Sequence, residues 1–314
     1  MLIIVVAFAV GWVPLPYFAL GPGPARDVVP KIHVNGARTY ESSGRLVMTT
    51  IRFTQVTALG ALIAWINPEQ KVVGEDAVYP PGLSPSEEEQ RAISQMDQSK
   101  IDAAAVALTE VTAYPREHGP GALVEFVGTD CPADGRLFPG DQIVLIDGER
   151  VDSRREASRL IEGVPVGEPI EFRVEADGEV HDVRVTRGPC PGVDEPVIGI
   201  ALVDSFPFDI IIDSGDVGGP SAGLMWAVGL YDLLTPGDLT RGRTIAGTGA
   251  IDLEGNVGPI GGIRDKVVAA RDADADIMLV PRADFRELRD VDTGDLRLIP
   301  VSTFDEAVKA LSAS

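Results

Sequence analysis

The sequence predicts an α+β protein of several domains. We expect an N-terminal membrane-anchor helix, a β-rich segment with a long helix, a small α+β domain and a C-terminal α/β domain. The 314 residues exceed the usual size of one domain, which is roughly 100–200 residues. The first 25 residues carry no charged side chain, and helix-type and strand-type apolar patterns follow one another along the rest. We place the boundaries at 1–25, 26–111, 112–192 and 193–314.

The composition excludes several classes of protein. Asp and Glu number 48 against 27 Lys and Arg, which gives a net charge of −21 and disfavours contact with a phosphate backbone. We therefore expect no nucleic-acid partner. Apolar residues make up 45% of the chain, which argues against a wholly disordered protein. The two cysteines and three histidines are scattered, so we expect no metal site and no cofactor.

The uncharged N-terminal run is nearly long enough to cross a bilayer, which takes about 20 residues. Pro14 and Pro16 interrupt its helix pattern, so we expect a helix from Leu2 to Val13 with a kinked or extended exit. A single-pass membrane anchor is the favoured interpretation. A cleaved signal peptide and a buried core segment are the alternatives. No basic cluster follows the run, which favours an extracytoplasmic location for the rest of the chain.

Residues 26–111 carry strand patterns followed by one long helix. Turn signals at Asn35-Gly36 and Ser43-Gly44 separate apolar stretches typical of strands. Ser84 and Glu87 form a capping box, which predicts a helix from this point to about Leu108. Nothing in this segment indicates chemistry.

Residues 112–192 form a small α+β pattern. A strand at 123–127 precedes the sequence Gly140-Asp141-Gln142-Ile143-Val144-Leu145-Ile146-Asp147-Gly148, a helix around 153–161 and strands at 170–175 and 180–186. This stretch resembles a PDZ domain of the bacterial kind. The resemblance implies that an extended peptide adds to a sheet edge. The segment Tyr114–Gly121 lacks the usual carboxylate-binding signature. Cys131 and Cys190 either form a disulfide bond or remain as two unpaired residues.

Ser221 lies where a glycine-rich turn, Asp213–Gly223, leads into an apolar helix, Leu224–Leu234. At a helix N-terminus the free backbone N–H groups point outward and the dipole favours negative charge. The backbone amides of Gly219, Ser221 and Ala222 are therefore candidates for stabilising an oxyanion.

Several functions share such a turn. A nucleophile elbow of the α/β-hydrolase type needs a histidine after the serine, but His33, His118 and His181 all precede Ser221. The phosphate-binding pattern G-x-x-x-x-G-K-[ST] is absent from the sequence, although a kinase with another glycine-rich loop stays open. A serine protease whose base is lysine is the third interpretation. A helix cap without function is the fourth.

Lysine usage narrows these interpretations. The chain has five lysines, and unlike arginine a lysine can lose its proton and act as a base. Lys266 lies on the first turns of a helix rich in small apolar residues. Burial and the positive helix end would both lower its pKa. A surface lysine would be the ordinary interpretation of this position alone.

The C-terminal region resembles the proteolytic domain of Lon proteases. The shared motifs are Gly219-Pro220-Ser221-Ala222-Gly223, Ala246-Gly247-Thr248-Gly249-Ala250-Ile251, Gly255-Asn256-Val257-Gly258-Pro259-Ile260-Gly261-Gly262-Ile263 and Lys266. The resemblance implies that Ser221 is the nucleophile and Lys266 its general base, with Thr248 orienting the lysine. Gly218 and Ala250 depart from the Asp and Glu usual in the family.

The order of anchor, PDZ and Lon-type domains resembles the membrane-anchored, PDZ-containing Lon-like proteases of bacteria. This implies an ATP-independent serine endopeptidase that acts on protein or peptide substrates and needs no cofactor. It also implies a single-pass protein of the bacterial cytoplasmic membrane with its domains outside, and a hexameric ring. The alternatives are a non-catalytic PDZ adaptor on a degenerate Lon-like fold, a C-terminal-processing protease and a small-molecule kinase.

Overall fold

The computed structural model describes residues 13–67, 69–79, 82, 84–176 and 178–313. The strands are β1 Pro14–Pro22, β2 Arg26–Asp27, β3 Ile32–Asn35, β4 Arg45–Met48, β5 Ile51–Thr57, β6 Lys71–Gly74, β7 Ala122–Val127, β8 Gln142–Ile146, β9 Glu149–Arg150, β10 Pro169–Ala176, β11 Glu179–Thr186, β12 Gly188–Cys190, β13 Val193–Val197, β14 Ile200–Asp204, β15 Asp209–Ile212, β16 Thr244–Gly247, β17 Ala250–Ile251, β18 Val257–Gly258, β19 Ile277–Pro281 and β20 Arg297–Val301. The α-helices are α1 Ala58–Ile66, α2 Pro85–Val111, α3 Arg154–Gly163, α4 Gly223–Leu234, α5 Ile263–Asp272 and α6 Phe304–Ser312.

The main sheet has five strands in the order β2-β4-β16-β19-β20. Its pairs are parallel except β2 with β4. Because side chains alternate along a strand, Leu46 and Met48 of β4 face one layer while Val47 faces the other. Helices α2, α4 and α6 cover the first face, and α5 covers the second. The result is a three-layer α/β unit.

The main sheet corrects the predicted boundaries. Strand β4 comes from the predicted segment 26–111, yet it pairs in parallel with β16 of the C-terminal region. Helix α2 packs on α4 through Met96 and neighbouring alanines in the same core. Strand β4 and helix α2 therefore belong to the C-terminal α/β unit, because one core is buried by elements from both parts of the chain.

A second sheet is inserted between α2 and β15. Its strand order is β11-β10-β8-β7-β14, and α3 covers it through Ala157 and Ile161. We call residues 122–204 the PDZ-like unit. It extends past the predicted boundary at residue 192, because β14 pairs with β7 and completes the sheet. Within it Cys131 and Cys190 are bonded to each other.

The described residues do not support an anchor that runs through residues 1–25. Residues 14–22, where the sequence predicts a kinked or extended exit, form β1, the central strand of a small sheet in the order β5-β1-β6. The proline-containing start of β1 coincides with an irregular register, since proline cannot donate a ladder hydrogen bond. No described helix has the length and hydropathy needed to cross a membrane. The predicted helix Leu2–Val13 lies outside the described residues, apart from its last residue.

Helix α2 confirms the capping prediction. The Ser84 hydroxyl accepts a hydrogen bond from the Glu87 amide, and the Glu87 carboxylate accepts one from the Ser84 amide. Ten residues of α2, from Met96 to Leu108, are buried. The helix thus runs from an exposed, capped start into the centre of the molecule, where it meets the serine-bearing turn.

Candidate active site

Ser221 lies in a single 3-10 turn, Pro220–Ala222, which continues directly into α4. Gly219 precedes the turn with a φ of 83°, a left-handed conformation that favours glycine. Gly223 follows it, and a Cβ there would lie 2.6 Å from Ser99 Oγ. The two glycines therefore serve different needs, one for the bend of the chain and one for the close crossing of α2.

The structure places Lys266 and Thr248 against Ser221. Lys266 Nζ lies 2.7 Å from Ser221 Oγ and donates a second hydrogen bond to Thr248 Oγ1 at 3.1 Å. The Thr248 hydroxyl donates to the Ser221 carbonyl at 3.0 Å. The three side chains predicted from separate motifs thus form one connected group.

Each member of this group is held by regular structure. Thr248 follows the carboxyl end of β16, and its amide donates to the Leu279 carbonyl of the neighbouring strand β19. Lys266 lies in the first turn of α5, behind Gly262, which has a φ of 64°. The carboxyl edge of parallel strands is a common place for sites in α/β folds.

Burial changes the acid–base behaviour of the lysine. The Lys266 side chain is buried, and desolvation lowers its pKa from 10.5 to about 8. The negative charge of Asp284 acts in the opposite direction and raises this pKa. A neutral amine is therefore accessible near neutral pH, which an exposed lysine would not provide.

Asp284 was not found by the sequence analysis. It is buried just after β19, and its Oδ2 accepts a hydrogen bond of 2.9 Å from the Ile260 amide. It therefore ties down the loop that leads into α5 and Lys266. The position of Asp284 just after β19, a parallel strand that pairs with β16, is the feature that could have indicated it.

Helix α2 supports the serine turn from the other side. The Ser99 hydroxyl donates to the Pro220 carbonyl at 3.0 Å. The Gly219 amide donates to the Ala92 carbonyl at 2.7 Å. Neither Ser99 nor Ala92 belongs to a motif, so no local sequence pattern indicates this contact. A helix more than 100 residues away in the chain fixes the turn that presents Ser221.

The Ala92 contact alters the predicted oxyanion donors. The Gly219 amide is engaged by Ala92 and is not directed at a substrate, which contradicts its prediction as a donor. The amides of Ser221 and Ala222 stay as predicted candidates, because they lie in the first turn of the helical segment.

Packing accounts for the departure at Gly218. A Cβ at this position would lie 2.9 Å from the Ala92 Cβ. An aspartate, the residue usual in the resembled family, would require α2 to move. Ala250 is part of β17, which pairs with β18 beside the site, and nothing in the structure explains the loss of a glutamate there.

The PDZ-like unit offers a sheet edge. Strand β14 is the last strand of its sheet, and no described strand pairs with its outer side. Gly199 precedes β14 with a φ of 82°, in the sequence Ile198-Gly199-Ile200. The segment 114–121, which lacks a carboxylate-binding signature in the sequence, precedes β7 and not the edge strand. The loop that leads into the edge strand is the one at Ile198–Ile200.

A cleft of about 980 Å³ separates the PDZ-like unit from the main unit. Phe138 of the PDZ-like unit, Ile101 of α2 and Ile211 of β15 line it. Neither Ser221 nor Lys266 lines this cleft, so it is distinct from the serine–lysine group.

A known protein family matches the C-terminal part of the chain. Residues 209–313 match the family described as the Lon protease (S16) C-terminal proteolytic domain. This match contains Ser221, Thr248, Lys266 and Asp284. The resemblance of this region to Lon proteolytic domains is thereby confirmed.

Curated relatives give the same result. The chain is 39% identical to a Lon protease of Campylobacter concisus over 95 residues, which cover 29% of this chain and 12% of that protein. It is 25% identical to a Lon protease of Methanosphaera stadtmanae over 202 residues, covering 62% of this chain and 22% of that protein. The chain thus matches a minor part of the length of these relatives.

Solved PDZ domains are similar to about a quarter of the chain. One is the PDZ domain of an SdrC-like protein from Listeria innocua, with 28% identity and a TM-score of 0.24, covering 26% of this chain and 92% of that one. Another is the corresponding domain from Listeria monocytogenes, with 29% identity and a TM-score of 0.25, covering 26% and 87%.

Proposed function

We propose that the protein is an ATP-independent serine endopeptidase in which Ser221 and Lys266 form the catalytic dyad. The single observation that carries this proposal is the 2.7 Å approach of Lys266 Nζ to Ser221 Oγ in a buried setting. The match of residues 209–313 to a Lon proteolytic domain supports the reaction class.

The proposed mechanism uses these side chains in turn. Neutral Lys266 accepts the proton of Ser221 Oγ as this oxygen attacks a peptide carbonyl. The backbone amides of Ser221 and Ala222 stabilise the oxyanion that forms. Lys266 then gives its proton to the leaving amine, and an acyl-enzyme remains on Ser221. A water molecule, deprotonated by the same lysine, releases the acyl group and restores the serine.

Thr248 acts as a positioning residue in this scheme. Its hydroxyl accepts from Lys266 Nζ and donates to the Ser221 carbonyl, so it links the base to the nucleophile's own backbone. This fixes the amine on the side of Ser221 from which the proton must leave.

The PDZ-like unit would select or gate substrates. An extended peptide segment can add to the free edge of β14, with main-chain hydrogen bonds giving affinity. Protein or peptide substrates are the partners that this arrangement fits.

Location and assembly are further parts of the proposal. We propose the bacterial cytoplasmic membrane as the location of the protein. Residues 14–22 form a strand, so this proposal rests on the uncharged residues that precede them. The soluble units would then lie on the extracytoplasmic side. A homo-oligomeric ring, a hexamer, is proposed from the resemblance to Lon proteases alone.

The test is hydrolysis of an unfolded protein by the full chain without nucleotide. Ser221→Ala and Lys266→Arg should each abolish cleavage, because the first removes the nucleophile and the second keeps the charge but removes the base. Lys309→Arg, at an exposed ion pair with Asp305, is the matched control and should cleave normally. Unchanged activity in either dyad variant would exclude the dyad.

A non-catalytic PDZ adaptor is the second candidate, favoured only by the free edge of β14. A serine-reactive phosphonate distinguishes the two functions. It should label Ser221 in the wild-type chain and leave Lys266→Arg unlabelled. A wild-type chain that neither cleaves nor becomes labelled would favour the adaptor.

A further inference from the structure

Helix α1 has its apolar residues arranged in an unusual way. The side chains that face the small sheet are those of Ala61 and Ala64, which pack with Ala19, Val56 and Val72. The large apolar side chains point to solvent. They are Leu59, Leu62, Ile63, Trp65 and Ile66, each more than half exposed. A surface helix normally buries its large apolar residues and exposes polar ones. In α1 the residues that face the sheet are alanines, and the large apolar residues are exposed.

Two further exposed aromatic side chains lie on the small sheet, Tyr17 on β1 and Phe53 on β5. The sequence from Phe53 to Pro68 contains no charged residue. A helix side that exposes several large apolar residues marks a place of contact with another apolar phase or molecule. We call the exposed side of α1 the apolar face.

The N-terminal chain joins the sheet beside this face. Pro14, at the start of β1, pairs with Thr57, and the Thr57 hydroxyl caps the start of α1. Residues 1–13, which lead to this point, contain no charged or hydrogen-bonding side chain apart from the indole of Trp12. The leading segment and α1 therefore leave the sheet at the same end, and both are apolar.

We propose that the apolar face of α1 inserts into the interfacial layer of a lipid bilayer. The nine residues of α1 span about 13 Å, too short to cross the hydrocarbon core of about 30 Å, so the helix lies along the surface. A tryptophan at the rim of such a helix suits the boundary between headgroups and acyl chains.

The charge of the protein favours an apolar contact over an electrostatic one. A net charge of −21 repels anionic headgroups, and α1 itself brings no cation to the surface. The contact is therefore expected to persist at high salt and in vesicles of zwitterionic lipid. The test must distinguish lipid from two other occupants of the apolar face, a second copy of this chain and residues 1–13 of the same chain.

Such a contact would orient the candidate active site. The small sheet lies against α5, which carries Lys266, and a Cβ at Gly262 would meet Ile51 Cδ1 at 2.1 Å. Glu69, just after α1, forms an ion pair with Arg271 of α5 at 2.8 Å. A membrane-bound α1 would thus hold the lysine helix in a fixed orientation to the lipid surface.

The test uses tryptophan fluorescence of the full chain reconstituted in phosphatidylcholine vesicles with brominated acyl chains. The chain has three tryptophans, and Trp226 is fully buried in the core. In the Trp12→Phe variant, Trp65 should be quenched relative to vesicles without bromine. Adding Trp65→Phe should remove this quenching. The matched control is the triple variant that also carries Val180→Trp. Val180 is exposed on β11 of the PDZ-like unit, so a tryptophan at this position should not be quenched.

Each other outcome overturns the proposal. If Trp65 is not quenched by brominated lipid but is shielded from aqueous iodide, another copy or the leading segment covers the apolar face. If Trp65 is accessible to iodide, the face lies in water. Equal quenching of Trp65 and of the tryptophan at position 180 would show adsorption without a preferred face. None of these outcomes depends on proteolytic activity.

Discussion

Asp284→Asn is expected to increase activity on the acid side of the pH profile. Asp284 raises the pKa of Lys266, so it lowers the fraction of the lysine that is neutral at neutral pH. Asparagine removes the charge and keeps an oxygen that can accept the hydrogen bond from the Ile260 amide. The variant therefore separates the charge of residue 284 from its role in holding the loop before α5.

The magnitude follows from the pKa of about 8. At this value about a tenth of Lys266 is neutral at pH 7. A neighbouring unit charge in a partly buried setting contributes on the order of 1–2 kcal/mol, or about one pH unit. A pKa of about 7 would leave about half of the lysine neutral, so the rate of acylation at pH 7 should rise about fivefold. Above pH 9 the two proteins should react alike.

The assay is the rate of labelling of Ser221 by a phosphonate, measured from pH 6 to pH 10. Asp284→Ala serves as the comparison, because it loses both the charge and the acceptor for Ile260. A wild-type chain without labelling would exclude the dyad itself. A labelled wild type whose acid limb coincides with that of Asp284→Asn would refute the electrostatic role of Asp284 and leave the dyad in place.

Three further changes test the energetics of the site and its surroundings. Lys266→Met should raise the free energy of unfolding at pH 7 by up to about 3 kcal/mol, because the lowered pKa means that burying the charged amine opposes folding below pH 8. This gain should fade as urea unfolding is followed from pH 8 to pH 10.5, and an equal effect at both ends would contradict the pKa. Burial and the neighbouring carboxylates of Glu125, Asp252 and Glu254 raise the pKa of Asp102 to about 8. The folded state therefore binds one more proton than the unfolded state between about pH 4 and 8, and its stability falls as the pH rises through this range. Asp102→Asn should flatten the dependence of stability on pH there, and urea midpoints at pH 5 and 8 that match those of the wild type would exclude this origin. Ser99→Ala should lower stability by about 1 kcal/mol through the lost bond to the Pro220 carbonyl, and should slow phosphonate labelling of Ser221. Labelling at the wild-type rate would show that α2 does not position the serine.

Local signals were enough to predict the elements that carry the site. The capping box at Ser84 predicted the start of α2, and the structure confirms it. The glycine-rich turn predicted a helix after Ser221, and α4 begins two residues later. Lys266, Thr248 and Ser221 were grouped by family motifs, and the structure brings their side chains into contact. Their catalytic roles stay predictions.

Contacts between distant parts of the chain could not be predicted. Whether an apolar run forms a helix or a strand depends on the segments that it packs against. The run that contains Phe18 and Ala19 forms strand β1 because β5 and β6 pair with it on both sides. The Gly219 amide was taken for an oxyanion donor because nothing local shows that Ala92 occupies it. The pairing of β4 with β16 joins strands about 200 residues apart, beyond the reach of any local pattern.

The PDZ-like unit is joined to the main unit by two connections that lie side by side. The Gly119 amide donates to the Ser205 carbonyl at 2.9 Å, and the Tyr114 hydroxyl donates to the Asp204 carbonyl at 2.8 Å. The two connections therefore lie together at one place on the main unit. Removing the PDZ-like unit and joining the two chain ends there with a short linker would shorten the chain without separating α2 from α4. A fragment that began after the unit, by contrast, would lack β4 and the helix that holds Ser221 in place. The main unit therefore needs both of the chain segments that flank the PDZ-like unit.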